Sequence, residues 1–322
     1  MKEFDLIKTY FAKQLVKRKD VALGVGDDCA ILSAPENKQI AITTDTLVAG
    51  THFPEDTPAR AIGHKAVAVS LSDLASMGAE PLWISLAISL PRVEQSWIEE
   101  FCEGLFELCE YYNVQLVGGD TTQGPLTITT TAQGSVNKDK FLTRSGASRG
   151  DWLYVTGNVG GAALALEQHY GRLTLSQEDK EAVFERLNHP SPRVLAGQII
   201  KDYASAAIDI SDGVLADLTH ICNASSVGAN IVLDDMPMHA AISHYLPQDK
   251  AYSLALNGGD DYELLFAVSE SNKVAAETAL SNANIPFSCI GQTNASGKIT
   301  TTMNNKPVAI DIQGYQHFAS NE

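Results

Sequence analysis

Seven short segments of this chain set an aspartate or glutamate at the end of an apolar, strand-like run or in the glycine turn beside one. They are GVGDDCA from Gly24, ITTDTL from Ile42, SLSDLAS from Ser70, VGGDTT from Val117, IDISDGV from Ile208, NGGDDYEL from Asn257 and, more weakly, VLDDMP from Val232. One such segment is a loop. Their recurrence constrains the fold, because it asks for many strands that deliver carboxylates, hydroxyls and glycines at their exits. Oxygen donors of this kind suit hard cations, Mg²⁺ above all, and Mg²⁺ is usual where phosphates are handled.

The periodicity supplies those strands. An amphipathic helix is expected over 3–17, from Phe4, Ile7, Phe11 and Leu15 at helical spacing. Strands follow at 30–32 and 39–47, a helix over 58–77 after Pro58, a strand at 83–90, and a helix from Glu94 whose apolar positions run from Trp97 to Tyr112. Two more strands fit 114–117 and 126–132, the second rich in Thr. The polar stretch Asn137 to Asp151 has the character of a linker. Beyond it strands fit 152–156, 206–209, 230–233, 262–268 and 286–290, with helices through His169 and over 176–187, 193–203 and 214–224. The expected architecture is α/β (α+β): two domains, 1–140 and 141–322, each a mixed sheet flanked by helices.

Composition then removes whole classes of function. The net charge of −16 argues against a nucleic-acid or anionic-membrane surface. The apolar block from Leu82 to Leu90 falls far short of the roughly 20 residues of a membrane span, and Met1 to Lys19 carries charge throughout, unlike a leader. Five scattered cysteines without a CxxC pair read as reduced thiols in a cytoplasm. No GxxxxGK[ST] is present, so this is not a P-loop protein. GNVGGA, from Gly157, lies between a strand and a helix and reads as an anion cup or, more simply, a tight turn.

Each acidic candidate has a plain alternative. Asp27 and Asp28 are adjacent and point to opposite sides of an extended chain, so only one need reach a metal; turn chemistry explains the pair equally well. Asp45 sits in Thr43-Thr44-Asp45-Thr46, a carboxylate among hydroxyls. Asp73 falls inside an apolar helix, where a charge is costly unless paired or metal-bound. Asp120 follows two glycines that let backbone approach a ligand closely. Asp209 and Asp212 flank a strand-to-helix turn, where Asp212 could simply cap the helix. Cations suited to phosphate are few: Lys65, Arg144, Arg149 and Arg193. That scarcity favours metal ions as the neutralising charge.

Taken in order, GDDCA, TTDTLVAGTHF, KAVAVSLSDLASMGAEP, VGGDTT, LTRSGASRGD, AIDISDG, NGGDDYEL and the C-terminal GYQHF resemble bacterial thiamine-monophosphate kinase, from about residue 4 to 318. That family belongs with aminoimidazole ribonucleotide synthetase, selenophosphate synthetase and a hydrogenase maturation protein. The resemblance implies the two-domain fold of that superfamily, an N-terminal ATP- and Mg²⁺-binding domain through which a homodimer forms, and a C-terminal α/β domain. It implies ATP-dependent phosphorylation of thiamine monophosphate to the diphosphate, with several Mg²⁺ ions and ATP as co-substrate. By motif, Asp27 or Asp28, Thr43, Thr44, Asp45, Asp73, Asp120, Asp209 and Asp212 match the family's metal ligands. Gly119, Asp120, Arg144 and Ser211 match ATP contacts, and His52, Glu263 and Tyr315 match substrate contacts. No general base is expected. Ala49, Thr51, Asp260 and Gln316 depart from the usual residues. The rivals within the superfamily lack support: Cys29 is in the wrong context for selenophosphate synthesis, and the chain ends Ala-Ser-Asn-Glu rather than in a reactive cysteine.

Overall fold

The computed structural model describes residues 3–311, with side chains from Asp5 onward. The chain divides into two compact units. The first ends at residue 141; the second begins at 142 and also takes in residues 75–78.

The first unit opens with α1 (Glu3–Thr9) and a single 3₁₀ turn, so the expected helix to residue 17 stops early. A two-stranded hairpin of β1 (Val21–Leu23) and β2 (Ile31–Leu32) follows. The main sheet is built from β3 (Lys38–Val48), β4 (Glu80–Leu90), β5 (Gln115–Gln123) and β6 (Thr127–Asn137), with α2 (Ala59–Ser76) before β4 and α3 (Gln95–Tyr111) after it. Its strand order is β3-β6-β4-β5. Only β4 and β5 run parallel, the two joined through α3 as a βαβ crossover requires.

Helices α2 and α3 pack backbone against backbone. A Cβ on Gly63 would sit 2.0 Å from the Phe101 carbonyl oxygen, and one on Gly104 would sit 1.9 Å from that of Arg60. Only glycine at both sites permits so close a crossing. Val67, Leu71, Leu74, Phe101 and Leu105 are thereby buried with Ile84, Leu86 and Ile88 of β4.

The second unit holds a seven-stranded sheet with strand order β13-β12-β9-β11-β7-β10-β8. In chain order its elements are β7 (Trp152–Thr156), α4 (Gly161–His169), α5 (Gln177–Asn188), α6 (Val194–Ile200), β8 (Ala204–Asp209), α7 (Val214–Ser225) and β9 (Gly228–Val232). Then come α8 (Ile242–Tyr245), α9 (Gln248–Asn257), β10 (Leu264–Val268), α10 (Lys273–Asn282), β11 (Phe287–Asn294), β12 (Ile299–Met303) and β13 (Lys306–Val308). Strand residues alternate between the two faces. Leu153 and Val155 join Leu164, Val183, Leu218, Ile221 and Leu256 from the helices in the main core. Tyr154 turns the other way, stacks on Phe266 at 5.3 Å and donates to Glu277 of α10 at 2.6 Å.

Candidate functional site

In the first unit β3 sorts its ligand candidates by face. Thr43, Asp45 and Leu47 point toward α2, whereas Thr44 and Thr46 are exposed and share hydrogen bonds with Thr131 and Thr129 at 2.9 and 3.0 Å. The Thr44 hydroxyl therefore does not join the Asp45 carboxylate, because neighbouring strand side chains cannot share a face. On α2, Ser70 and Asp73 are three residues apart and so face the same way. Ser70 donates to Asp45 at 2.7 Å, and the Thr43 hydroxyl donates to Asp73. Burial, and next the negative charge of Asp73, push Asp45 up to about 6. Two acids and two hydroxyls thus meet at one spot, and their mutual repulsion is what a bound cation would relieve.

Asp27, Asp28 and Asp120 make a second group. They line a cleft of about 640 Å³ between the β1–β2 hairpin loop and strands β4 and β5, together with Cys29, Gly118 and Gly119. The strand β5 continues through Asp120 to Gln123, past its expected end at residue 117, because the two glycines pair with Ser85 and Leu86 of β4. A Cβ on Gly119 would lie 1.8 Å from the Leu86 carbonyl oxygen. Gln133 also lines this cleft, and its side-chain oxygen is buried without a hydrogen-bond partner. Asp45 and Gly119 occupy one cross-strand row through Thr130 and Leu86, three strand spacings apart. That separation is roughly 14 Å, so one ion cannot take both Asp45 and Asp120 of the same chain.

His52 follows β3, and its Nδ1 accepts the Val48 N–H at 3.0 Å, which puts the hydrogen of the neutral ring on Nε2. Lys65 is 3% exposed and donates to the His52 carbonyl at 3.3 Å, so it serves the protein interior.

In the second unit β8 ends at the buried Asp209 and the chain turns through Ser211, Asp212 and Gly213 into α7. Asp217, 2% exposed, reaches back from α7 and accepts the N–H groups of Ser211 and Asp212, both at 3.1 Å. Burial raises it to about 7; the two N–H bonds and the charge of Arg144 oppose the rise, and the charge of Asp212 adds to it. Arg144, Ser211 and Asp212 therefore belong to one corner of this unit. Asp260 joins them: it holds a positive φ of 67°, its N–H donates to the Ser211 carbonyl at 2.9 Å, and its carboxylate accepts from the Tyr262 hydroxyl at 2.8 Å.

Glu263 requires correction as a substrate contact. It is 0% exposed, and its carboxylate accepts from Thr156 at 2.7 Å, from Arg186 at 2.7 Å and from Arg193 at 2.5 and 2.6 Å. The bidentate Arg193 fork saturates it as an internal anchor, and the same bonds take Arg193 away from phosphate duty. GNVGGA proves to be the plain turn, since the Gly160 N–H donates to Asp261 at 2.8 Å. Asp261 is itself pushed well above the usual carboxylate range by burial. Tyr315 and GYQHF lie outside the described residues.

Among the described residues no three His, Cys, Asp or Glu side chains converge closely enough to hold an ion. The acids stand instead as three groups: Asp45 with Asp73, Asp27 and Asp28 with Asp120, and Asp209 with Asp212. Sequence reasoning missed Asp217 and Asp261. A carboxylate in the first turn of α7 was the visible signal for the former; the latter depends on a loop brought in from a distant part of the chain.

Comparison with known proteins adds the context. Residues 26–136 match the model for the N-terminal domain of AIR synthase related proteins, and residues 148–304 match that for their C-terminal domain. A thiamine-monophosphate kinase from Escherichia coli strain K12 is 47% identical over 320 residues, covering 99% of this chain and 98% of that one. The crystal structure of thiamine-monophosphate kinase from Stenotrophomonas maltophilia K279a aligns with a TM-score of 0.87 at 40% identity, over 96% of this chain and 98% of that one. A structure described as AaThiL complexed with AMPPCP and TMP aligns at 0.77 and 28% identity, over 98% and 96%. Among the described residues no helix is long and apolar enough to cross a membrane.

Proposed function

The chain belongs to the thiamine-monophosphate kinase family, and on that premise we propose that it transfers the γ-phosphate of ATP to thiamine monophosphate, giving thiamine diphosphate and ADP. The observation that carries this reading is a likeness to such kinases that runs through nearly the whole chain. A relative solved with AMPPCP and TMP supports both the nucleotide and the acceptor.

The transfer is direct. A terminal phosphate oxygen of the acceptor forms the new bond to the γ-phosphorus as the bond to the bridging oxygen of ADP breaks. A phosphate monoester has a second pKa of about 6, so near neutral pH it is already a dianion and needs no general base. The obstacle is repulsion between two anions, which positioning and positive charge overcome.

Magnesium, where bound, supplies that charge. The donor chemistry fits: Asp27 or Asp28, Thr43, Asp45, Asp73, Asp120, Asp209 and Asp212 all offer oxygen donors that would hold the ion, and two carboxylates brought together at Asp45 and Asp73 suit a cation. The Thr44 side chain faces away from Asp45. Gly119, Asp120, Arg144 and Ser211 serve ATP. For the acceptor, His52 presents an Nε2–H donor, and Asp260 takes the role first expected of Glu263, since it is half-buried and its backbone is bonded to Ser211.

The finer proposals follow from the same reading. The first unit is the ATP-binding and dimerising one, and the open face of its sheet, with Ile42 67% exposed, supports pairing with a second copy. Five free thiols support a reducing cytoplasm. The test is a coupled ADP-release assay with thiamine monophosphate or free thiamine as acceptor. Release with the monophosphate alone is expected. Release with thiamine alone, or with neither, overturns the assignment.

A further inference from the structure

Asp217 carries no role in the family resemblance, yet it controls the turn on which the second unit's nucleotide contact sits. Strand β8 leaves the sheet at Asp209, and Gly213, at a φ of 112°, starts α7 without any side-chain cap. Ser211 and Asp212 precede that cap, so their N–H groups lie outside the α7 hydrogen-bond ladder. Asp217 lies one turn inside α7, and helical side chains lean toward the N-terminus. Its carboxylate thus returns to the turn it follows.

A single oxygen, Oδ2, accepts both the Ser211 and the Asp212 N–H at 3.1 Å. The Ser211 carbonyl is taken on its other side by the Asp260 N–H at 2.9 Å. Ser211 is therefore clamped at both ends of its own backbone. Burying a carboxylate at 2% exposure is costly without such partners, so the site is organised around the two donors rather than around solvent.

We infer that Asp217 is a positioning residue for nucleotide binding: it holds Ser211 and Asp212 through their backbone N–H groups, so that the nucleotide meets a preformed turn. The inference rests on the kinase reading of that corner. Alanine at 217 leaves two half-buried donors without their acceptor and releases the turn. Asparagine keeps an oxygen that can accept both bonds while removing the charge, which separates geometry from electrostatics.

The experiment compares Asp217→Ala and Asp217→Asn with the wild-type protein in three readouts. These are affinity for a non-hydrolysable ATP analogue with Mg²⁺, KM for thiamine monophosphate, and hydrogen exchange of the Ser211 and Asp212 amides by NMR. Asp217→Ala is expected to weaken the analogue about ten-fold, as loss of a buried double acceptor implies, with KM for the acceptor little changed. Asp217→Asn is expected to recover most of that loss, and the two amides are expected to exchange slowly in the wild type and in Asp217→Asn. Fast exchange of those amides in the wild type, equal weakening by both substitutions, or unchanged affinity in Asp217→Ala overturns the inference. Should Asp217→Ala not fold, wild-type exchange and the affinity of Asp217→Asn still decide it. A wild-type protein that binds the analogue but does not phosphorylate thiamine monophosphate defeats the kinase reading alone.

Discussion

Asp45 shows how one side chain is built against the stability of its own fold. Its carboxylate titrates near 6 in the folded protein and near 3.8 when unfolded, so the folded chain holds a proton more tightly. The stability this lends is full below about pH 4 and is lost as the pH rises through 6. In metal-free protein Asp45→Asn removes the ionisation altogether. Urea unfolding in EDTA at pH 8 should then show a gain on the order of 3 kcal/mol, the scale of a shift of this size. The same substitution should lower turnover by two or more orders of magnitude at saturating Mg²⁺. Near-normal turnover would remove Asp45 from the transfer site, and an unchanged unfolding midpoint would deny the repulsion. A site strained in this way exchanges stability for function.

Among elements, the crossing of α2 over α3 makes the clearest demand. On propensity alone Gly104→Ala should stabilise α3 by about 1 kcal/mol. A methyl group placed 1.9 Å from the Arg60 carbonyl must instead push the helices apart, an overpacking cost of roughly 1–3 kcal/mol. A lower melting temperature is therefore expected, and a higher one would show that the crossing is not close. Elements of this strength were legible beforehand: strands at 39–47, 83–90 and 152–156 and the helices from 58, 94 and 214 all lie within a few residues of their expected places. What escaped was decided by neighbours. β5 runs on through Gly118 and Gly119 because β4 is there to pair with them. The β12–β13 hairpin did carry a signal, since Asn304 and Asn305 both take positive φ, as a two-residue turn of the primed type requires. Glu263 matches an acceptor contact by motif alone, and the two arginines that occupy its carboxylate lie 70 and 77 residues earlier in the chain.

For the whole molecule, β3 is an edge strand among the described residues, and it and the open face beside it are features that proteins rarely leave uncovered. Ile40 and Ile42 are exposed on that strand. Sedimentation should therefore return twice the chain mass of 34.6 kDa, and Ile42→Asp should return a single chain; a wild-type monomer would withdraw the dimer. The five thiols divide unequally across the same molecule. Cys102, Cys109 and Cys222 are buried, and burial lifts Cys102 to about 12, Cys222 to about 11 and Cys109 higher still, while Cys289 is half-buried and also raised. Cys29 alone lies open, on the rim of the Asp27–Asp120 cleft. The native chain thus comes with a ready-made label site, and the rate at which a maleimide dye attaches there is a footprint of whatever fills the cleft.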